Sequence, residues 1–341
     1  MTSPPPLKTA LKRGALIAAA NWPLVAVQFI AEGTLKLLLA VPLIGGVFLV
    51  VLLLGADAAE GVLAGDLREN VTAVLAALGS HPVALVAFAA AFLLVLAGGS
   101  ALTFVVKGGT VSILAEAEAQ AGPVERPPIR LDALRPVNRT NIEPFLDGCQ
   151  RLWRRYLRLG GCLLLAYVAT GAAYLGIVVG GFALTANAAV LLGWTLATAA
   201  ASSVLVVWIT LLNFFYLLTQ MVIAIEDVSV RKAARLAVVF IRASLREVAG
   251  IFGVLLLLVG IATLASILAT AGLGLIAFVP LAGLAVVPLQ FAAWLLRGIV
   301  FEYLALTALG AYLTQYRHYS RGSMPAPLMG VATDVLGKRL A

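Results

Sequence analysis

Six long apolar runs constrain this chain more than any other feature of its sequence. A helix needs about 20 predominantly apolar residues to cross the hydrocarbon layer of a bilayer, which is roughly 30 Å thick. The chain is 62% hydrophobic and only 12% charged, whereas soluble domains are about half apolar and about a quarter charged. We therefore predict an all-α integral membrane protein. Its six predicted spans are residues 35–56, 83–106, 159–182, 190–222, 249–272 and 286–313.

The positive charges predict which ends of the spans face the cytoplasm, because cytoplasmic connections are enriched in lysine and arginine. The amino-terminal segment, the second and fourth connections and the tail all carry several cations. By contrast, residues 57–82 hold one arginine against four acidic residues, and the turns near 183–189 and 273–280 hold no charge. Both termini are therefore predicted to be cytoplasmic. The net charge of +8 is explained by this topology and by contact with anionic lipid head groups, so we expect no nucleic-acid partner.

Three basic segments, each leading directly into a span, resemble one another. They occupy residues 11–27, 146–168 and 230–258. In the last two, apolar residues recur at helical spacing with arginines on the opposite side, which is typical of an amphipathic helix at a membrane interface. We therefore predict three units, each a cytoplasmic interfacial helix followed by a hairpin of two spans. The cations expected to contact lipid phosphate are Arg154, Arg155, Arg158, Arg231, Lys232, Arg235 and Arg242.

The remaining segments complete a membrane domain over residues 1–322. Residues 122–144 are proline-rich and basic and lack hydrophobic periodicity, which predicts a cytoplasmic loop. Residues 66–80 carry an apolar stripe at helical spacing and are predicted to form a short helix on the outer surface. Residues 323–341 are predicted to be a cytoplasmic tail.

The connection at residues 224–258 also carries a resemblance to a known family. An acidic end of a span leads to a basic amphipathic helix and then to a new apolar span, and the ending ALTALGAYLTQYRHYSR at 305–321 fits the same pattern. Together with the threefold repetition, this resembles the bacterial six-span membrane domain that is fused to some glycerophosphodiester phosphodiesterases, and its stand-alone relatives. The resemblance implies a bacterial inner membrane. No polar stretch here is long enough for the phosphodiesterase domain, so the resemblance implies no enzymatic activity.

Two charges interrupt the last predicted span, in the stretch FAAWLLRGIVFEYLAL at 291–306. A loop between two spans at this point would place the basic tail on the outer side, so we predict one continuous helix. On a helix that begins near Pro288, Arg297 lies about 13 Å and Glu302 about 21 Å from the start, about 140° apart around the axis. We expect Arg297 to be an outer-leaflet anchor. Glu302, close to mid-membrane, is either a functional group or a protonated, hydrogen-bonded one.

Other polar side chains in or near the spans are predicted to have structural partners. Glu32 and Lys36 are four residues apart on one helix and are expected to form an ion pair. Lys107 is interpreted as a lysine at the inner interface. Glu226 and Asp227 are expected to pair with Arg231 or Arg235, and Gln28, Asn213 and Gln220 to form hydrogen bonds between helices.

No arrangement of residues in the sequence predicts a catalytic site, a metal site or a cofactor. His81 and His318 are predicted to lie on opposite sides of the membrane and so could not share a metal ion. The first functional hypothesis is therefore a non-enzymatic scaffold or accessory subunit that binds lipid, other membrane proteins or a second copy of itself. The alternative is a transporter or flippase-like carrier of a lipid or small amphiphile that uses Glu302. A cavity that reaches Glu302 would favour the carrier.

Overall fold

A computed structural model describes residues 5–54, 79–125, 141–183, 188–277 and 282–323. These residues form eight α-helices and no strand. Six of the helices are long and apolar enough to cross a membrane, as expected of a multi-pass membrane protein. The helices are α1 (Leu7–Ala20), α2 (Trp22–Leu54), α3 (Pro82–Gln120), α4 (Ile142–Ala183), α5 (Ala188–Glu226), α6 (Val230–Ala243), α7 (Leu245–Ala277) and α8 (Ala282–Ser323).

The described part of each predicted span lies within one of the six long helices, and most of these helices continue well past one end of the span. In particular, α8 is a single helix through Arg297 and Glu302, which confirms one span there rather than a loop. The predicted loop at 122–144 ends too late, because α4 already begins at Ile142. Most of that loop, residues 66–78 of the predicted surface helix and residues 324–341 of the tail lie outside the described residues.

The buried side chains gather at one end of the helices. Ile17, Leu114, Tyr156, Met221 and Leu313 are all fully buried there, in one apolar core shared by α1, α3, α4, α5 and α8. We call this packed end the base. Because every helix that forms it also contributes polar side chains, the base is the part of the fold best suited to contact with water.

The opposite ends of the six long helices are apolar and largely exposed. Leu52 and Val83, for example, are 78% and 82% exposed, and similar side chains continue along α4, α5, α7 and α8. Apolar surface on this scale requires a lipid environment, because monomeric soluble proteins rarely expose large contiguous apolar patches. We call these parts the arms, their far ends the tips, and the level at which they meet the base the neck.

The base is assembled by contacts that run in a ring. The arms pack as the pairs α2–α3, α4–α5 and α7–α8, and α1 packs on α8, the first part of α4 on α3, and α6 on α5. Each helix that precedes a pair therefore lies on the last helix of another pair. At two of these crossings glycines allow backbones to touch, with Gly14 against Gly310 and Gly109 against Gly148.

The first and third of the predicted units have the same backbone pattern. In each, a helix of 14 residues is separated by one non-helical residue, Asn21 or Ser244, from a long apolar helix. The buried residues of α6, Ala233, Ala237 and Phe240, occupy the same positions along their helix as Ala10, Gly14 and Ile17 do along α1. The second unit differs, because its basic segment is continuous with the span that follows in α4.

An ion-pair network closes the base between α1, α3 and α8. The Glu118 carboxylate is only 6% exposed and accepts contacts from Arg13 Nε at 3.4 Å and Arg317 Nε at 2.8 Å. Arg13 also donates hydrogen bonds to the carbonyl oxygens of Ala121 and Gly122, both at 2.7 Å, so it caps the end of α3. Among the described helices, this network joins the first to the last.

Candidate functional site

Four ionisable side chains from three helices meet at the neck. Lys107 Nζ of α3 lies 3.0 Å from Glu32 Oε1 of α2, and Lys36 Nζ lies 3.8 Å from Glu32 Oε2. The second contact confirms the predicted pair of Glu32 and Lys36. Glu302, from α8, lines the same cavity as Glu32, Lys36 and Lys107.

The cluster lies about one hydrocarbon thickness from the tips. About 30 Å of helix separates Ala282 from Glu302, about 33 Å separates Leu54 from Glu32, and about 37 Å separates Pro82 from Lys107. Glu302 therefore lies farther from the tip than the predicted mid-membrane position, because α8 begins at Ala282 rather than near Pro288. With the tips at one surface of a bilayer, the cluster lies at the level of the head groups of the other leaflet.

A cavity of about 510 Å³ opens beside this cluster between α2, α3, α4, α5 and α8. Its wall is mostly apolar but includes Glu32, Lys36, Lys107 and Glu302. We call it the neck cavity. Its size lies in the range of cavities that hold small ligands, which combine an apolar lining with a few polar groups. The cavity reaches Glu302, which is the observation that separates the two functional hypotheses drawn from the sequence.

Three further side chains in this wall are buried and present polar atoms without a partner within the described part of the chain. They are Gln28 Oε1, Gln220 Oε1 and the hydroxyl of Tyr216, on residues no more than 7% exposed. A buried polar atom without a partner costs about 1–3 kcal/mol. The neck cavity therefore favours an occupant that brings hydroxyl or other hydrogen-bonding groups.

The prediction of hydrogen bonds between helices is confirmed at one of these polar positions. The Tyr167 hydroxyl of α4 donates to Asn213 Oδ1 of α5 at 2.5 Å, at the edge of the same cavity. Gln28 and Gln220 also line the cavity, and their carbonyl oxygens are buried and unpaired among the described residues.

Arg297 lies five residues from Glu302 toward the tips and borders two further crevices. The α2–α8 crevice, of about 400 Å³, is lined by Phe29, Gly33, Lys36, Arg297 and Glu302, among others. The α7–α8 crevice, of about 560 Å³, lies on the other side of Arg297. The guanidinium carbon lies 5.7 Å from the centre of the Phe301 ring, a cation–π contact. The α2–α8 crevice shares Glu32, Lys36 and Glu302 with the neck cavity, so the two openings meet at the cluster.

The cations predicted to face lipid phosphate are found on the base. Most of them are exposed, but Arg155 forms an ion pair with Asp227, just beyond the end of α5. The expected partners of the two acids were therefore wrong, since Glu226 accepts a hydrogen bond from the Tyr316 hydroxyl at 3.1 Å. The exposed members of the set are Arg154, Arg158, Arg231, Lys232, Arg235 and Arg242.

The position of each cluster residue along its own helix was the one signal in the sequence that pointed to the cluster. Glu32, Lys107 and Glu302 are separated from the tip of their own helix by similar lengths of chain, so helices that pack side by side bring them to one level. From the sequence alone, Lys107 is interpreted only as a lysine at the inner interface. Tyr216 carried no signal, because a single tyrosine in an apolar helix is ordinary.

Comparison of the chain with protein-family models, with curated proteins and with solved structures found no match. The resemblance to the membrane domain of glycerophosphodiester phosphodiesterases therefore stays a prediction. The case for a function rests on the chemistry of the neck.

Proposed function

We propose that this protein binds a lipid or small amphiphile at the neck and acts as a flippase-like carrier for it. The neck cavity carries the proposal, because it joins an ionisable cluster to unpaired buried polar groups and to an apolar wall. A molecule with a polar head and an apolar tail matches both parts. The head binds at the cluster, and the tail lies along the exposed apolar side chains of the arms.

Glu32 and Glu302 line both openings at the neck and give such a carrier two carboxyl groups that can exchange a proton. A carboxyl group that holds a proton can donate a hydrogen bond to a ligand, whereas one that has lost it can only accept. Ionisable groups that line a cavity between membrane helices mark substrate or proton pathways in many membrane proteins. The proposal therefore assigns the carboxyl pair to binding and release.

The proposal includes a placement in the membrane. We place the base on the cytoplasmic side of a bacterial inner membrane, with both termini in the cytoplasm, on the basis of the lysine and arginine asymmetry. The three basic helical segments then lie near the inner interface as the leading parts of three units. Their exposed cations, such as Arg231 and Arg235, face anionic head groups.

Lipid retention and lipid movement test this function together. The wild-type protein, purified in mild detergent, is expected to keep bound lipid that native mass spectrometry resolves as a discrete adduct. In liposomes it is expected to speed the exchange of fluorescent lipid between leaflets, measured by dithionite quenching. Glu302→Gln keeps the shape of the side chain but cannot exchange a proton, so it is expected to slow the exchange.

The matched control is Glu116→Gln, an exposed carboxyl on the base of α3, which is expected to leave both readouts unchanged. Exchange at the rate of protein-free liposomes would contradict the carrier. The second candidate, a scaffold, is favoured by the exposed cationic side of α6. It predicts a stoichiometric protein partner after purification and no lipid exchange.

A further inference from the structure

We propose that the ligand of the neck carries an anionic, phosphate-type head group held between Lys36 of α2 and Arg297 of α8. This inference rests on the proposed function, because it names the class of amphiphile that the same site binds. The site is the α2–α8 crevice, which both cations line together with Glu32 and Glu302.

The charges around the crevice do not balance. Glu32 is shared by two lysines, with Lys107 at 3.0 Å and Lys36 at 3.8 Å. Arg297 forms no ion pair within the described part of the chain. Three cations therefore face two carboxyl groups, and at least one positive charge remains even when both are ionised.

An excess of positive charge at the level of the lipid head groups attracts an anionic group, as basic residues at a membrane surface attract anionic lipid. The tight pair of Lys107 with Glu32 leaves Lys36 as the less neutralised lysine, and its side chain is 70% exposed. Lys36 and Arg297 come from facing helices and repel each other when nothing lies between them. A phosphate relieves that repulsion, and the planar guanidinium group binds two phosphate oxygens at once.

The crevice also has room for this head group and a wall for the attached chain. Phe29 and Trp294 form an edge-to-face pair with ring centres 6.1 Å apart, and the Phe301 ring faces the Arg297 guanidinium group. Gly33 lines the crevice, and a Cβ atom built there would meet no atom within 4 Å. The open space in front of Gly33 is where the ligand lies.

The test compares two lipids with the same acyl chains, phosphatidylglycerol and phosphatidylcholine, added to the delipidated full-length protein and counted by native mass spectrometry. The wild-type protein is expected to bind phosphatidylglycerol about tenfold more tightly, the usual worth of a hydrogen-bonded charge. Lys36→Gln and Arg297→Gln are each expected to reduce that preference, and the double variant to abolish it. Arg246→Gln removes an exposed cation of α7 outside the crevice and is expected to keep it.

A steric variant separates this inference from the function on which it rests. A Cβ atom at position 33 meets no atom within 4 Å, so Gly33→Leu is expected to extend into the crevice and weaken the binding of both lipids. Gly253→Leu, at an exposed and equally uncrowded glycine of α7, is expected to change neither. Equal binding of the two lipids by the wild-type protein, lost in Gly33→Leu, would overturn the anionic head group and leave the carrier standing. Binding unaffected by Gly33→Leu and Glu302→Gln would overturn both. A preference for phosphatidylglycerol that survives in the Lys36→Gln/Arg297→Gln double variant would also overturn the inference.

Discussion

Gly14 of α1 and Gly310 of α8 bring two helix backbones into direct contact. A Cβ atom on Gly310 would lie 2.9 Å from the Gly14 Cα atom, and one on Gly14 would lie 2.5 Å from the Thr307 carbonyl oxygen. Small residues at such crossings allow close packing of helices in membrane proteins. The contact holds the first of the described helices against the last and so closes the ring of helices in the base.

We expect Gly14→Ala to destabilise the protein even though alanine favours helices. The new methyl group would meet backbone atoms of α8, which cannot move aside as a flexible side chain can. Overpacking of this kind costs about 1–3 kcal/mol. The measurement is the free energy of unfolding in detergent micelles titrated with sodium dodecyl sulfate. The control, Gly253→Ala, meets no atom within 4 Å and is expected to be neutral or stabilising, and equal effects at the two glycines would contradict the packing explanation.

We expect Glu118→Gln to be more damaging than its conservative shape suggests. The substitution removes the carboxylate that Arg13 and Arg317 share and leaves two partly buried cations without it. Breaking a buried ion pair from one side costs about 3 kcal/mol or more. The same unfolding titration measures the loss. Glu116→Gln, two residues away and exposed, is expected to cost little. A loss of stability in Glu118→Gln as small as that in Glu116→Gln would show that the network adds no stability.

The effect of substitutions at Asp227 is expected to depend on the backbone. Asp227 has φ 49°, in the left-handed region that asparagine and aspartate tolerate and β-branched residues avoid. Its ion pair with Arg155 joins side chains that are 54% and 31% exposed, so its loss costs about 1 kcal/mol or less. Asp227→Asn is therefore expected to be mild, and Asp227→Val to cost about 1–2 kcal/mol more. Unfolding titrations that rank the two variants equally would contradict this backbone effect.

The sequence predicted the helices well because the length of an apolar run is a local property. One continuous helix through Arg297 and Glu302 followed from the same reasoning, with the positions of the cations as a second constraint. The pair of Glu32 and Lys36 was also local, since residues four apart on a helix are neighbours. The start of the last helix was predicted less well. That error placed Glu302 near mid-membrane in the prediction, whereas the structure has it at the neck.

Contacts between distant segments could not be predicted in this way. Lys107 pairs with Glu32 and Asp227 with Arg155 because packing fixes the rotation of each helix about its axis. The arms are apolar on most sides, so their sequences lack the distinct polar and apolar faces that would reveal this rotation. The polar side chains of Gln28 and Gln220 could have faced a neighbouring helix as readily as the cavity. The sequence therefore named Glu302 as a candidate without naming its neighbours.

The ion pair at the neck offers the last prediction, a double-mutant cycle on Glu32 and Lys107. Each side chain is 26% exposed and the charged atoms are 3.0 Å apart. Lys107→Met and Glu32→Gln are each expected to lower the free energy of unfolding, because each leaves a partly buried charge without its main partner. The double variant removes both charges and is expected to be more stable than the sum of the single losses predicts, by about 1–2 kcal/mol.

Lys36→Met is the matched control for this cycle. Its ammonium group lies farther from Glu32, at 3.8 Å, on a side chain that is 70% exposed, so the change is expected to cost less than about 1 kcal/mol. Delipidated protein is used for the titrations, because bound lipid would add its own stabilisation. Single losses that simply add in the double variant would mean that Glu32 and Lys107 are neighbours without being energetic partners. Coupling would instead identify them as the fixed pair beside which Lys36 remains free for a ligand.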